Sequence, residues 1–137
     1  MALTSSGAVL MVEAKANLPE LESPSSQARE QSASVIRRSL ARAKPSFGAP
    51  ATAEWMRVYY QYANRLAWLH FLRAENAVDA YLVFLYFVGA SEVAGPTSES
   101  EWEPAIELAH QALELHEGPL SPFVLNAFVN VQDLADA

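Results

Sequence analysis

The chain has 137 residues, 51% of them hydrophobic, which is enough for the core of one globular domain and too few for two independent ones. It contains no cysteine, which excludes disulfides, thiolate catalysis and zinc–thiolate sites and leads us to expect a cytoplasmic protein. The net charge of −7 disfavours nucleic-acid binding, but all nine Lys and Arg residues precede residue 74, so the first half of the chain is basic.

Two apolar stretches resemble membrane or targeting signals, and both are better explained as strands. The first, at the start of the chain, lacks a basic leader and contains Glu13, unlike a cleavable signal peptide. The second, at 77–90, is shorter than the roughly 18 residues that cross a bilayer and contains Asp79. We therefore expect no membrane span.

The first half of the chain predicts a strand followed by a basic helix. Residues 8–15 form an apolar run typical of a strand, and a loop follows over Pro19–Pro24. Ser23 is a typical helix N-cap, with Pro24 at the first helical position, where a missing N–H costs nothing. The apolar periodicity predicts that this helix continues to about Ala43.

Residues 54–73 form the most aromatic segment, and their helical spacing predicts a helix with two distinct faces. The core stripe comprises Trp55, Tyr59, Tyr62, Ala63, Leu66, Leu69 and His70, and the opposite face carries Arg57, Gln61, Asn64, Arg65 and Trp68. We interpret the histidine on the core stripe as a hydrogen-bonded structural residue. The other face offers polar groups to a neighbouring site.

The second half predicts a strand, an acidic helix and a final strand. The run Val78–Val88 is apolar on both faces, as expected of a central strand covered by helices on each side. Ser98 and Glu101 match a capping box for a helix that extends to about His116. The pattern of residues 123–131 predicts a last strand. The alternation predicts a single α/β domain over residues 1–137, with a central mixed sheet flanked by helices.

The segment LMVEAKAN at residues 10–17 carries the clearest chemical signal. A strand places Glu13 and Lys15 on one face. Hydrolysis of a phosphodiester needs a hard cation held by oxygen ligands, a positioned water and positive charge at the phosphate. Glu13 and the Ala14 carbonyl are candidate metal ligands, and Lys15 is a candidate for orienting the water and stabilising charge. The alternative is an ordinary surface ion pair.

The polar face of the aromatic helix provides candidate substrate contacts. Arg57, Gln61 and Arg65 would reach a substrate phosphate if this face packs toward the end of the first strand. Acidic groups on the second half would serve solubility or would contact a partner protein.

An apolar strand that ends in Glu-x-Lys resembles the second half of the PD-(D/E)XK, or restriction-endonuclease-like, nuclease signature. The segments LMVEAKAN, YYQYANRLAWLHFLR, AYLVFLYFVG and GPTSESEWEPAI, in this order, resemble a group of bacterial members of that superfamily. The resemblance implies a restriction-endonuclease-like sheet and a Mg²⁺- or Mn²⁺-dependent site for cleaving nucleic acid. It assigns Glu13 as the metal ligand, Lys15 as the catalytic lysine and Gln61 as a helix-borne catalytic glutamine, with Arg65 where some branches have tyrosine.

The chain departs from that signature because no carboxylate precedes Glu13. Three explanations remain open: truncation at the N-terminus, substitution by another acid such as Glu20, Glu22 or Glu54, or a nuclease fold without activity. We therefore expect either a nuclease or an inactive nuclease-fold module that binds a partner. An unpaired edge strand would also favour a homodimer.

Overall fold

The computed structural model describes residues 1–26 and 28–137. The strands are Ala2–Leu3 (β1), Val9–Lys15 (β2), Ala80–Val88 (β3) and Val124–Asn130 (β4), and the α-helices are Glu30–Ala43 (α1), Tyr60–His70 (α2), Glu99–Ala112 (α3) and Val131–Ala135 (α4). Short 3₁₀ helices occupy Leu18–Leu21, Lys44–Phe47, Ser91–Val93 and Ser121–Phe123, and a π-helical turn spans Phe71–Glu75. No helix in the described ranges has the length and apolar character needed to cross a bilayer.

The four strands form one mixed sheet in the order β1-β2-β3-β4. β1 is antiparallel to β2, whereas β2, β3 and β4 run parallel. The register places Glu13 beside Phe84 and Lys15 beside Tyr86. The prediction of an α/β domain with a mixed sheet and flanking helices is confirmed, and the last predicted strand, at 123–131, is found within one residue at each end.

Helices α2 and α3 pack on the face of β3 that carries its even-numbered residues. Phe84 and Tyr86 are completely buried there. The ring of Tyr62 from α2 stacks on Phe84 with centroids 4.0 Å apart, and Trp102 from α3 lies 4.9 Å from Tyr86. These aromatic contacts fix the two helices over the same sheet face that carries Glu13 and Lys15.

The opposite sheet face is apolar but remains partly exposed. The odd-numbered residues of β3 are only partly buried. On the neighbouring strands, Val12 is 49% exposed and Leu125 is 46% exposed. The prediction that helices bury both faces of this strand is therefore wrong for the described residues. Apolar composition predicted burial, but it cannot distinguish a covered face from a neutral surface.

Helix α1 begins later than predicted. It starts at Glu30 rather than at Pro24, and the predicted helix also ran through Gln27, which lies outside the described residues. Residues 22–26 have no regular secondary structure, and backbone hydrogen bonds hold them against the chain that leads into α2. The Ser23 N–H donates to the Val58 carbonyl at 2.6 Å.

Ser23 caps a different helix from the one predicted. Its hydroxyl accepts a hydrogen bond from the Gln61 N–H at 3.0 Å, at the start of α2, and donates to the Val58 carbonyl at 3.3 Å. Its assignment as the N-cap of α1 is therefore wrong. The first amides of a helix need a hydrogen-bond acceptor, and a serine oxygen can provide it from a distant segment as well as from the residue just before the helix.

Helix α2 is shorter than the predicted segment at 54–73. It begins at Tyr60 and continues past His70 as the π-helical turn. Trp55 is buried before the helix begins, and its indole N–H donates to the Leu113 carbonyl at 2.9 Å. Tertiary burial, rather than a helical core stripe, therefore accounts for this tryptophan.

Helix α3 has the predicted N-cap but a different set of cap contacts. Ser98 occupies the N-cap position without a side-chain cap hydrogen bond. The Glu101 carboxylate instead accepts from the Thr97 N–H at 3.1 Å and from the Thr97 hydroxyl at 2.6 Å, so the predicted capping box with Ser98 does not form. The helix ends at Ala112, before the predicted His116, and Glu114 has a positive φ of 53°.

Because adjacent residues of β2 lie on different sheet faces, the same substitution should cost much stability at one position and little at the next. Met11 is buried under the helices, whereas Val12 lies on the exposed face. Met11→Lys should lower the free energy of unfolding by about 3 kcal/mol or more, because it buries an unpaired charge. Val12→Lys should change it by less than about 1 kcal/mol. Urea unfolding measures both, and equal losses would contradict the face assignment.

Candidate functional site

Strand β2 places Glu13 and Lys15 side by side on the helix-covered face. The two-residue repeat of a strand puts alternate side chains on the same side. The Lys15 ammonium lies 3.1 Å from the Glu13 carboxylate, and both side chains are largely buried. The prediction that the pair projects from one sheet face is confirmed. Its burial distinguishes it from a solvated surface ion pair.

Helix α2 adds a second cation to this pair. The Arg65 Nε donates to the other oxygen of Glu13 at 2.7 Å. The Tyr62–Phe84 stack, one turn earlier on the helix, holds α2 over the sheet at this point. Glu13, Lys15 and Arg65 form a compact group, which we call the Glu13 cluster. Its two cations and one carboxylate leave a net positive charge.

The electrostatics of the cluster keep Glu13 ionised. Burial disfavours the charged carboxylate, but hydrogen bonds from Arg65 and Lys15, together with their positive charges, outweigh burial and lower the pKa of Glu13 below its usual value. The Arg65 side chain remains 39% exposed. The guanidinium therefore provides the accessible part of the cluster for an anionic ligand.

The strand edge supplies one further oxygen near Glu13. The Val9 N–H donates to the Asp79 carbonyl, so the odd-numbered residues of β2 direct their backbone groups to β3. The even-numbered Ala14 therefore directs its carbonyl to the other edge, where β1 pairs only as far as Leu10. The Glu13 carboxylate and the Ala14 carbonyl are both hard oxygen donors suited to Mg²⁺.

These two donors fit part of the coordination shell of a magnesium ion. Mg²⁺ is commonly bound through one or two carboxylates together with water and substrate phosphate oxygens. Within residues 1–26 and 28–137, no group of three or more His, Asp or Glu side chains is arranged to hold a metal. The cluster therefore suits an ion that arrives with a phosphate ligand better than a permanently bound one.

The acids proposed as substitutes for a second ligand are engaged elsewhere or exposed. Glu20 accepts a hydrogen bond from the Ala16 N–H at 2.8 Å, and Glu54 lies 3.5 Å from the exposed Arg57. Glu22 is exposed. In the described part of the chain, no ion pair or hydrogen bond connects any of these carboxylates to the Glu13 cluster.

The predicted substrate contacts separate into two groups. Arg65 joins the cluster directly, whereas the exposed Gln61 lies one helical turn earlier and makes no described side-chain contact with it. Arg57 is 74% exposed and pairs with Glu54 before α2 begins. The structure thus brings together Glu13, Lys15 and Arg65. Gln61 and Arg57 precede Arg65 in the chain and lie outside the cluster.

Two histidines have structural partners that the sequence did not identify. The Tyr62 hydroxyl lies 2.8 Å from His110 Nε2 beside a cavity of about 280 Å³, and His70 Nδ1 lies 2.8 Å from the Ser46 hydroxyl. Burial raises the pKa of Tyr62 well above its usual value and lowers the pKa of His110, which favours the neutral forms of both. The interpretation of His70 as a hydrogen-bonded structural residue is confirmed.

Comparison with known proteins did not assign this chain to a family. Neither family models, nor characterised proteins, nor solved structures gave a match. A functional proposal for this chain therefore rests on the geometry of the Glu13 cluster.

The lowered pKa of Glu13 predicts a pH-dependent contribution to stability. Above its unfolded-state pKa, near 4.5, the ionised carboxylate stabilises the fold, and this contribution disappears as pH falls through the lower folded-state pKa. Glu13→Gln should therefore lower the free energy of unfolding by about 1–2 kcal/mol at neutral pH, and this loss should shrink progressively as the pH falls below the unfolded-state pKa.

Urea unfolding at several pH values measures this difference between the original chain and Glu13→Gln. Glu54→Gln is a matched control because it removes an exposed partner of Arg57 by the same chemical change. The control should show a smaller loss of stability at neutral pH. A loss for Glu13→Gln that does not vary with pH would contradict the assigned ion pairs.

Proposed function

We propose that this protein is a nuclease-like phosphodiesterase that acts on nucleic acid with a divalent cation, Mg²⁺ or Mn²⁺. The observation that carries the proposal is the Glu13 cluster, in which the Glu-x-Lys pair of β2 meets Arg65 of α2 on one sheet face. A carboxylate flanked by two cations at the end of a parallel strand combines a metal ligand with positive charge for a phosphate.

The arrangement of the sheet favours a restriction-endonuclease-like fold. β1 is an antiparallel neighbour that precedes the Glu-x-Lys strand, and β3 and β4 extend the sheet in parallel on the other side. The preceding hairpin strand is where the superfamily resemblance expects a first acid. In this chain β1 consists of Ala2 and Leu3, which supply none.

Each side chain of the cluster has a distinct role in this proposal. Arg65 binds a phosphate oxygen through its exposed guanidinium, which presents several N–H donors in a plane. Lys15 positions the attacking water and stabilises negative charge on the phosphate. A divalent cation, held by Glu13 and the Ala14 carbonyl, would supply Lewis-acid polarisation of the phosphate. The substrate phosphate and Glu13 compete for Arg65, so binding loosens the 2.7 Å contact.

A second candidate function is an inactive nuclease-fold module that binds a partner. The specific observation in its favour is that both oxygens of Glu13 are already paired, one with Lys15 and one with Arg65. A paired carboxylate is a poorer metal ligand because the neighbouring cations repel the ion. In this case the cluster stabilises the contact between β2 and α2 and has no catalytic role.

A cleavage assay separates the two functions. The purified chain should degrade labelled single- or double-stranded DNA or RNA with Mg²⁺ or Mn²⁺, and EDTA should stop the reaction. Glu13→Gln and Lys15→Met should each lower the rate by about 100-fold or more, as expected for groups that act on the reacting phosphate. Glu54→Gln, on an acid outside the cluster, should cleave at the original rate.

Circular dichroism should show that every variant is folded. If the folded original chain cleaves none of these substrates with either metal, the second function is favoured. If it cleaves and Glu13→Gln cleaves equally fast, the cluster is not the active site.

A further inference from the structure

Helix α1 and the segment that leads to α2 enclose an open groove of about 860 Å³. We call it the basic groove, and its lining includes Arg37, Leu40, Lys44, Ala53, Trp55 and Arg57. Arg37 on α1 and Lys44, the residue after its end, lie on one wall, and Arg57 lies on the other. The buried Trp55 and Leu40 form a rigid apolar floor beneath these cations.

The groove concentrates positive charge in a chain whose net charge is −7. Glu54 also lines it and lies 3.5 Å from Arg57, which leaves an excess of positive charge over the groove. The Lys44 ammonium donates to the Ala51 carbonyl at 3.0 Å, which ties the end of α1 to the opposite wall without neutralising the charge. An anionic ligand would be attracted to this groove despite the acidity of the whole chain.

The spacing of the cations favours a chain of phosphates over a single one. Arg37 and Lys44, at the C-cap of α1, are seven residues apart, which corresponds to about 10 Å along a helix. The phosphates of one strand of a duplex follow one another about every 3.4 Å along the helix axis, and those of an extended single strand are farther apart, so the two cations span at most about three nucleotides. A single phosphate is too small to contact both, whereas a polymer backbone contacts them in succession.

We infer that the basic groove binds the phosphate backbone of a nucleic-acid strand. Arg57 precedes α2, and beyond it the exposed Gln61 and then Arg65 lie one turn apart on the helix. A strand that leaves the groove past Arg57 therefore passes along α2 to the Glu13 cluster. The path of the strand toward the Glu13 cluster rests on the proposed function. Binding of a strand in the groove can be tested separately from cleavage.

Binding is tested by fluorescence anisotropy of a labelled single-stranded oligonucleotide with the full chain in EDTA, at several salt concentrations. Arg37→Gln should weaken binding at least about threefold and reduce the salt-dependence slope by about 0.7, the value for one lost phosphate contact on a single strand. Arg57→Gln should weaken binding similarly. Arg38→Gln is the matched control, because it makes the same charge change on the next residue of α1, which lines a different cavity.

The control variant should bind the oligonucleotide nearly as tightly as the original chain. Equal weakening by Arg38→Gln and Arg37→Gln would show a general charge effect and overturn the inference. Inorganic phosphate should compete poorly with the oligonucleotide for the groove. If linear polyphosphate binds and the oligonucleotide does not, the inference is also overturned. Sedimentation could instead show that the chain self-associates and that Arg37→Gln disrupts this, as expected if the groove binds the acidic α3 of a second copy. That result would also overturn the inference.

The two proposals fail in different ways. If oligonucleotide binding depends on Arg37 but no metal-dependent cleavage is seen, the proposed hydrolysis is contradicted. The inference that the basic groove binds a strand then still stands. If the chain cleaves nucleic acid and Arg37→Gln changes neither the affinity for the oligonucleotide nor the cleavage rate, binding in the basic groove is contradicted. The proposal for the Glu13 cluster then still stands.

Discussion

The packing of α2 on one face of the parallel strands is the contact on which the rest of the structure depends. The two-residue repeat of β2 and β3 puts Glu13, Lys15 and Phe84 on the same side of the sheet. Tyr62 stacks on Phe84, and this contact brings Arg65, three residues later, to the Glu13 carboxylate. Ser23 fixes the start of the same helix through the Gln61 amide. The Glu13 cluster is thus a consequence of how one helix is placed.

The Glu13 cluster combines two requirements that oppose each other. The pairing with Lys15 and Arg65 stabilises a largely buried carboxylate, which would otherwise be costly to keep ionised. The same pairing occupies the oxygens that a metal ion or a substrate would use. In the proposed function, an incoming phosphate would relieve this conflict, because it would replace Glu13 as a partner of Arg65 and release a carboxylate oxygen. The cluster is therefore suited to a ligand that brings negative charge.

The sequence predicted the features that depend on local periodicity. Alternation along β2 was sufficient to place Glu13 and Lys15 together, and the apolar run of β3 identified a central strand. Contacts between distant segments were not predictable in this way. The pairing of Arg65 with Glu13 spans 52 residues, and the cap from Ser23 to Gln61 spans 38. The incomplete burial of the second face of β3 was missed because an apolar side chain has the same pattern on a covered and an uncovered face.

The interaction between Glu13 and Arg65 is tested most directly by a double-mutant cycle on folding stability. The cycle compares Glu13→Gln, Arg65→Gln and the double variant by urea unfolding at neutral pH, with Glu54 and Arg57 as the exposed reference pair. We expect a coupling energy of about 1 kcal/mol or more for the cluster, since its carboxylate is largely buried. The reference pair should give less. A coupling energy near zero for Glu13 and Arg65 would contradict the site as described.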